Sequence, residues 1–435
     1  MKNYLNYLFG MLFTLGCIGC GTSSYDPLEP VAPFTSGLKD SDDNISGSLG
    51  SEGDRKPSPS KEWFHSYKGS QEESHGHYIL ACADGGYLQV GETGKVLKNN
   101  SSAKILVVKV DSKGKLQWKK ELGEPGKNLG NSAIEVSDGY IVVGALNLES
   151  ALIKLDKITG EMIFSKTYEK SGANAIEHIT PLSNGFALVG YTDAEDGEST
   201  FYTYGKGLLF MVDNEGDEVV GLPMTDLQQY MSHGYRVFEH DGDLLVGGLT
   251  QDAEDFAVAK FDSDTLIAVW AHEYGHSEPD HLFAMDIDHS GEIYVSGHSL
   301  SNTLNWDTLT MKIGQDGRQL WEHVRGNPRG YDPNYIHDEA WGIKVTSDGG
   351  AVVAVGTGDE YEHYSACTLS ETHCSDIWQV YVIKFSPFGT VEWEATFGDP
   401  RGGDWAGEGI ALSEDGGAVV AVDDGSFGFL KLSPF

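Results

Sequence analysis

The chain has 435 residues and a formal net charge of −36, with 66 Asp and Glu against 30 Lys and Arg. That balance argues against nucleic acid as a partner, because phosphate binding needs a Lys/Arg surface, and it suits a strongly solvated exterior. Fifty-five Gly, 11% aromatic and 22% charged residues describe a turn-rich β protein rather than a helical or disordered one.

Lys2 is followed by an apolar run, Tyr4 to Leu15, and then by the small-residue stretch LGCIGCG. The run is too short to cross a bilayer and reads as an export signal. It resembles a bacterial lipoprotein signal, in which a Cys directly after a small residue becomes the lipidated start of the mature chain. The resemblance implies lipidation at Cys20, with Cys17 as the alternative, and Gly21 in place of an Asp implies the outer membrane, at the cell surface or its periplasmic face. Residues 21–60 are rich in Ser, Gly, Asp and Pro without apolar periodicity, and they read as a flexible tether.

Beyond residue 60 the chain repeats itself. Apolar strands end in Gly at Gly91, Gly144, Gly190, Gly247, Gly297 and Gly356, roughly 50 residues apart. A seventh copy, DGGAVVAVDD at 415–424, carries Asp423 in place of the Gly. Each copy is followed by a second run that often holds a Lys (LVVKVD, ALIKLD, LTMKIG, FLKLS). A tight turn then leads to an aromatic strand start at Trp118, Phe164, Trp270, Trp321 or Trp393; the third repeat offers only Val219 and Val220 there.

Four short strands per repeat predict an all-β fold, a seven-bladed β-propeller over 61–435, since no such unit buries both of its own faces. Gly-containing turns such as DGG and DxxG supply the positive φ of tight hairpins and put both short hairpins of every blade on one face. The long, varied connections lie on the other. The last repeat is one strand short, and Trp63 to Tyr67 is expected to fill the gap and close the ring. The repeat resembles that of exported bacterial propellers with a DGGYIVVG…KLD..G…W pattern, a resemblance that implies architecture and says little about function.

The first residues of each entering strand are expected around the channel on the long-loop face. They are His75 and His77, then His233, Tyr235 and Arg236, then His281, then Tyr335, His337 and Trp341, and lastly Asp404 and Trp405. His281 and His298 are equidistant from the turn near 289–290, so antiparallel pairing sets them opposite one another. His, Tyr and Arg in one mouth resemble propeller polysaccharide lyases such as those acting on ulvan. That resemblance implies His281, His298, Tyr335 and Arg329 as an elimination set, with Arg facing a uronate carboxylate and His and Tyr moving protons. Trp341 and Trp405 are candidate sugar contacts, whereas Trp306 and Trp378 occupy repeat-equivalent places suited to packing.

Cys367 and Cys374 share the longest loop and read as a disulfide in an exported chain; zinc held by His363, Cys367, His373 and Cys374 is the alternative. No other cofactor is expected. Three functions stay open: binding an extracellular ligand, polysaccharide foremost; a lyase; or a scaffold for an envelope protein. The membrane is reached only through the lipid.

Overall fold

The computed structural model describes residues 56–71, 73–95, 101–194, 205–219, 227–300, 305–331, 333–359 and 377–435. The expected lipidation site Cys20, its alternative Cys17 and the group His363, Cys367, His373 and Cys374 lie outside them. Seven antiparallel sheets form the seven blades of a β-propeller. Six have four strands. In the third blade three strands are followed by a single bridge, Val212 to Glu218, where the sequence offers no aromatic residue.

The inner strands are Ser74–Ala81, Leu129–Val136, Ala173–Leu182, His233–His240, Asp280–Ile287, Ile336–Val345 and Ala406–Leu412. Each blade then runs outward in sequence order. Lys61–Tyr67 is the outermost strand of the last blade, pairing antiparallel with Phe427–Leu432 from Lys61 opposite Leu432 to Tyr67 opposite Phe427. Tyr67 also donates its hydroxyl to the Gly114 carbonyl of the first blade at 2.7 Å.

Second strands are buried on both faces, because each sheet is sandwiched between its neighbours. Tyr87–Thr93 has no exposed residue, which is why it reads as a continuous apolar run without alternation. The core therefore lies between blades: Leu245, Leu249 and Val258 of the fourth pack on Leu282, Val295 and Met311 of the fifth. Burial of each such side chain is worth about 1.5–3 kcal/mol.

The Gly that ends the second strand is required by close approach. A Cβ at Gly91, Gly144 or Gly297 would lie 1.9, 2.0 or 1.7 Å from the carbonyl oxygen of His75, Leu129 or His281 on the inner strand.

The repeated Lys has a structural task. Lys109, Lys384 and Lys431 are almost wholly buried, and each reaches the Asp of the DGG turn beside it: Asp84 at 2.8 Å, Asp348 at 3.1 Å and Asp415 at 2.9 Å. The same carboxylates accept the amide of the second turn Gly. Partial burial disfavours the ionised form of Asp348, but Thr346, Gly350 and Lys384 outweigh it and hold its pKa down to about 2. The pairing is thus present above the ordinary carboxylate range and lost as pH falls toward 2. Lys384→Met should cost about 1–2 kcal/mol in denaturant unfolding at pH 7, less than a fully buried pair because Asp348 is half exposed. The Asp348 resonance should then titrate at a higher pH than in the unaltered protein.

Candidate functional site

All seven inner strands break register at one level. The breaks fall between Gly76 and Tyr78, Gly130 and Ser132, Ile176 and His178, Gly234 and Arg236, Leu282 and Ala284, Ala340 and Gly342, and Gly407 and Ile410. A bulge re-aims the extra side chain out of the pleat. The extra residues are His77, Asn131, Glu177, Tyr235, Phe283 and Trp341, with Glu408 and Gly409 in the last blade, so each blade contributes to one ring.

The ring has two halves. Tyr235, Phe283 and Trp341 form a continuous aromatic arc, with centroids 5.1 and 4.4 Å apart. Glu408, His77, Asn131 and Glu177 form a polar one. His77 Nε2 lies 2.9 Å from both Glu92 carboxylate oxygens. Burial pushes Glu177 up to about 7, against the pull of Arg236 and His77, and holds Glu408 far above the usual range, with Asp423 and Glu339 adding to it.

Past the ring, toward the short-hairpin face, a cavity of about 30 Å³ is lined by Tyr78, His178, Arg236, Phe238, Trp341 and Lys344, among others. It has room for a water or two and for no sugar ring. Lys344 pairs with Asp286 at 3.4 Å. Arg236 donates to the carbonyl of Tyr235 at 2.8 Å, and among the described residues no carboxylate lies within ion-pair reach of it. His178 is held far below its ordinary pKa, first by burial and then by Arg236 and Lys344, and its Nδ1 lies 3.0 Å from the Val237 carbonyl oxygen. It is neutral.

His77, Tyr235 and Trp341 thus stand in the ring. The other expected residues are placed differently, because in-register side chains point into the space between blades. His281 faces His298 across the strand pair as the spacing predicts, with ring centroids 5.5 Å apart. Both are buried beneath Trp306, at 5.0 and 4.7 Å, and Phe283. Burial lowers His281 to about 4 and, with the neighbouring His281 and His337, holds His298 well below its ordinary range, so both are neutral packing groups. His233 is buried between Tyr191 and Tyr235, and burial lowers it to about 4.

Arg329 donates to the carbonyls of Ile377 at 3.0 Å and Thr357 at 3.2 Å and covers the Tyr331 ring, binding an interblade loop to the sixth blade. Tyr335 is half-buried at the end of that loop. His337 is buried 3.4 Å from Glu339, and Asp404 accepts the Trp378 amide at 3.0 Å. Trp405 is 2% exposed, stacked 4.0 Å from Phe64 with Lys61 over it, so no face is open to a sugar. Trp306 and Trp378 are buried. Among the described residues no group of three His, Cys, Asp or Glu could hold a metal ion.

Asn131, Glu177, Phe283 and Glu408, with Tyr78, His178 and Lys344, escaped the sequence reading. Their signal was the column that appears when the seven inner strands are aligned (SHGHYIL, LGNSAIE, NAIEHIT, HGYRVFE, HLFAMDI, EAWGIKV, AGEGIAL). The bulged residue is the fourth letter of the first and third strings and the third letter of the others, so the column emerges only once each strand is anchored on its own register break.

The fold and this channel define a seven-bladed β-propeller with a lined axial cavity. No protein-family model matches the chain, and no curated protein matches it. Among solved structures, YCF48 bound to D1 peptide is 8% identical with a TM-score of 0.52, covering 87% of this chain and 100% of that one. The Dos1 propeller is 11% identical with a TM-score of 0.51, covering 87% and 96%. Identities this low show a shared fold.

Proposed function

We propose that the protein is an interaction propeller of the cell envelope, lipid-anchored at Cys20, whose axial channel seats a carboxylate of a partner protein's segment. One observation carries this reading: Arg236 stands in the channel without a carboxylate within ion-pair reach among the described residues. Glu408 and Glu339, and Glu177 below about pH 7, escape the cost of burial by holding a proton, whereas a guanidinium cannot lose its charge and gains most from an incoming anion. The cavity, with room for a water or two, suits the oxygens of one carboxylate in their place, and Trp341, on its lining and only partly buried, is open to the apolar part of the segment. At the level of fold alone, a propeller that holds a peptide is a fitting analogue.

A uronate polysaccharide that presents only its carboxylate to the cavity, the ring staying outside, is the second reading, favoured by Tyr78 and His77 beside Arg236. Titration of the full chain with acidic and amidated peptide pools, and with uronate polysaccharides, separates the two. Binding of acidic peptides, weakened about tenfold or more by Arg236→Met, supports the protein reading. Ultraviolet-absorbing unsaturated ends released from a uronate polymer would establish the lyase instead. Equal binding by wild type and Arg236→Met would sink both.

The pH dependence follows from Glu177. Above about 7 it ionises and competes for Arg236, so affinity for a carboxylate should fall as pH rises through that value. Glu177→Gln should flatten the profile.

A further inference from the structure

The large apolar side chains that are exposed among the described residues all lie on one face. Ile158 and Phe388, 84% and 88% exposed, and Ile267, 67% exposed, sit in the hairpins that lead to the outer strands of the second, sixth and fourth blades. Met162, Val269 and Leu320 begin those outer strands or that of the fifth blade, and the remaining two are placed likewise. A lone exposed apolar residue is ordinary. What calls for a cause is their gathering on the short-hairpin side, with none among the described residues on the face that carries the longer loops.

The chain also enters from this side. The Lys56 amide bonds the Glu392 carbonyl at 2.9 Å, its ammonium lies 2.7 Å from the Glu392 carboxylate, and the Ser60 amide donates to the Ser433 hydroxyl at 2.9 Å. Glu392 closely follows the hairpin that carries Phe388. Thirty-five residues separate Cys20 from Lys56, enough chain to reach a bilayer from this face. Such a tether brings the disc to a bilayer without setting its orientation, and the apolar tips supply what the tether lacks. In two of the hairpins one Asp is taken up by its own turn, Asp156 accepting from the Thr159 amide and hydroxyl and Asp262 from those of Thr265, while Glu161 and Asp264 beside them stay exposed. The face is not basic, so its contact is shallow apolar insertion rather than attraction to anionic lipid.

We infer that the short-hairpin face rests on the phospholipid bilayer, with Ile158, Ile267 and Phe388 as the inserting tips, and that the long-loop mouth points away from the membrane. This rests on Cys20 as the lipid anchor. Two measurements on the full-length protein test the two parts separately. Metabolic labelling with an alkyne fatty acid, lost in Cys20→Ala, tests the anchor; an unlabelled protein would remove the anchor and this inference with it. Hydrogen exchange of the lipidated protein, in detergent and on phosphatidylethanolamine–phosphatidylcholine vesicles, tests the face. Exchange should slow about tenfold, equivalent to about 1.4 kcal/mol, at 156–164, 262–270 and 386–392, and stay unchanged at 327–331. The triple variant Ile158→Ser, Ile267→Ser, Phe388→Ser should keep the label and lose the protection. A labelled protein on vesicles with unprotected hairpins, or with protection on the long-loop side, would overturn the inference while leaving the anchor intact.

Discussion

A chain shortened to begin after Lys68 is expected to lose its folded monomeric state. Lys61–Tyr67 supplies the fourth strand of the last blade, and its removal leaves the Phe427–Leu432 edge unpaired, a template for intermolecular pairing. It also strips Phe64 from Trp405, at 4.0 Å, and Tyr67 from Phe429, at 6.1 Å, uncovering two core clusters at once. Losses of this kind add cavity and edge exposure to the missing hydrogen bonds, so the expected cost is about 5 kcal/mol or more. Size-exclusion chromatography should show aggregates, and circular dichroism a lost or sharply lowered melting transition. A monomer melting within a few degrees of the full-length chain would remove the strand's closing role.

Asp423→Gly is expected to destabilise the protein although it restores the residue type that the other repeats carry. Asp423 takes the Nδ1 of His75 at 2.7 Å, joining the second strand of the last blade to the inner strand of the first, and both side chains are largely buried. Burial acts against the imidazolium, but Asp423, with Glu92 and Glu73, outweighs it and raises His75 to about 9. A raised histidine adds stability that is complete below its unfolded pKa near 6.5 and is lost as pH climbs through about 9. The variant should therefore lose about 3 kcal/mol at pH 6 and little at pH 10, in paired denaturant titrations. A loss that does not change between these pH values would show that the substitution acts through the backbone of the second strand and not through the ion pair.

The two results probe opposite ends of legibility. Ring closure was readable because it follows from counting strands: seven repeats needed one more, and Trp63 to Tyr67 was the unused candidate. The pairing of His281 with His298 was readable for a similar reason, since antiparallel register is arithmetic once the turn is known. What those histidines do was not. Their neutrality and burial depend on Trp306, which arrives just ahead of the next strand, and on Phe283, displaced by a bulge that the apolar pattern does not announce. Trp405 is a similar case: its loop position suggested exposure, but Phe64 covers it from the other end of the chain.

By itself, then, the sequence determined the repeat, the turn chemistry, the hairpin face of the disc and the closure of the ring. These are local or countable properties: a Gly where any Cβ would lie about 2 Å from a carbonyl oxygen, an Asp that caps its own turn, an apolar run between turns. Only the tertiary structure decided which residues share the channel. A single-residue bulge rotates one side chain per blade toward the axis and leaves its neighbours between sheets, and the charge that results, an arginine with no carboxylate in ion-pair reach among the described residues and carboxyls raised by burial around it, is a property of seven strands brought side by side.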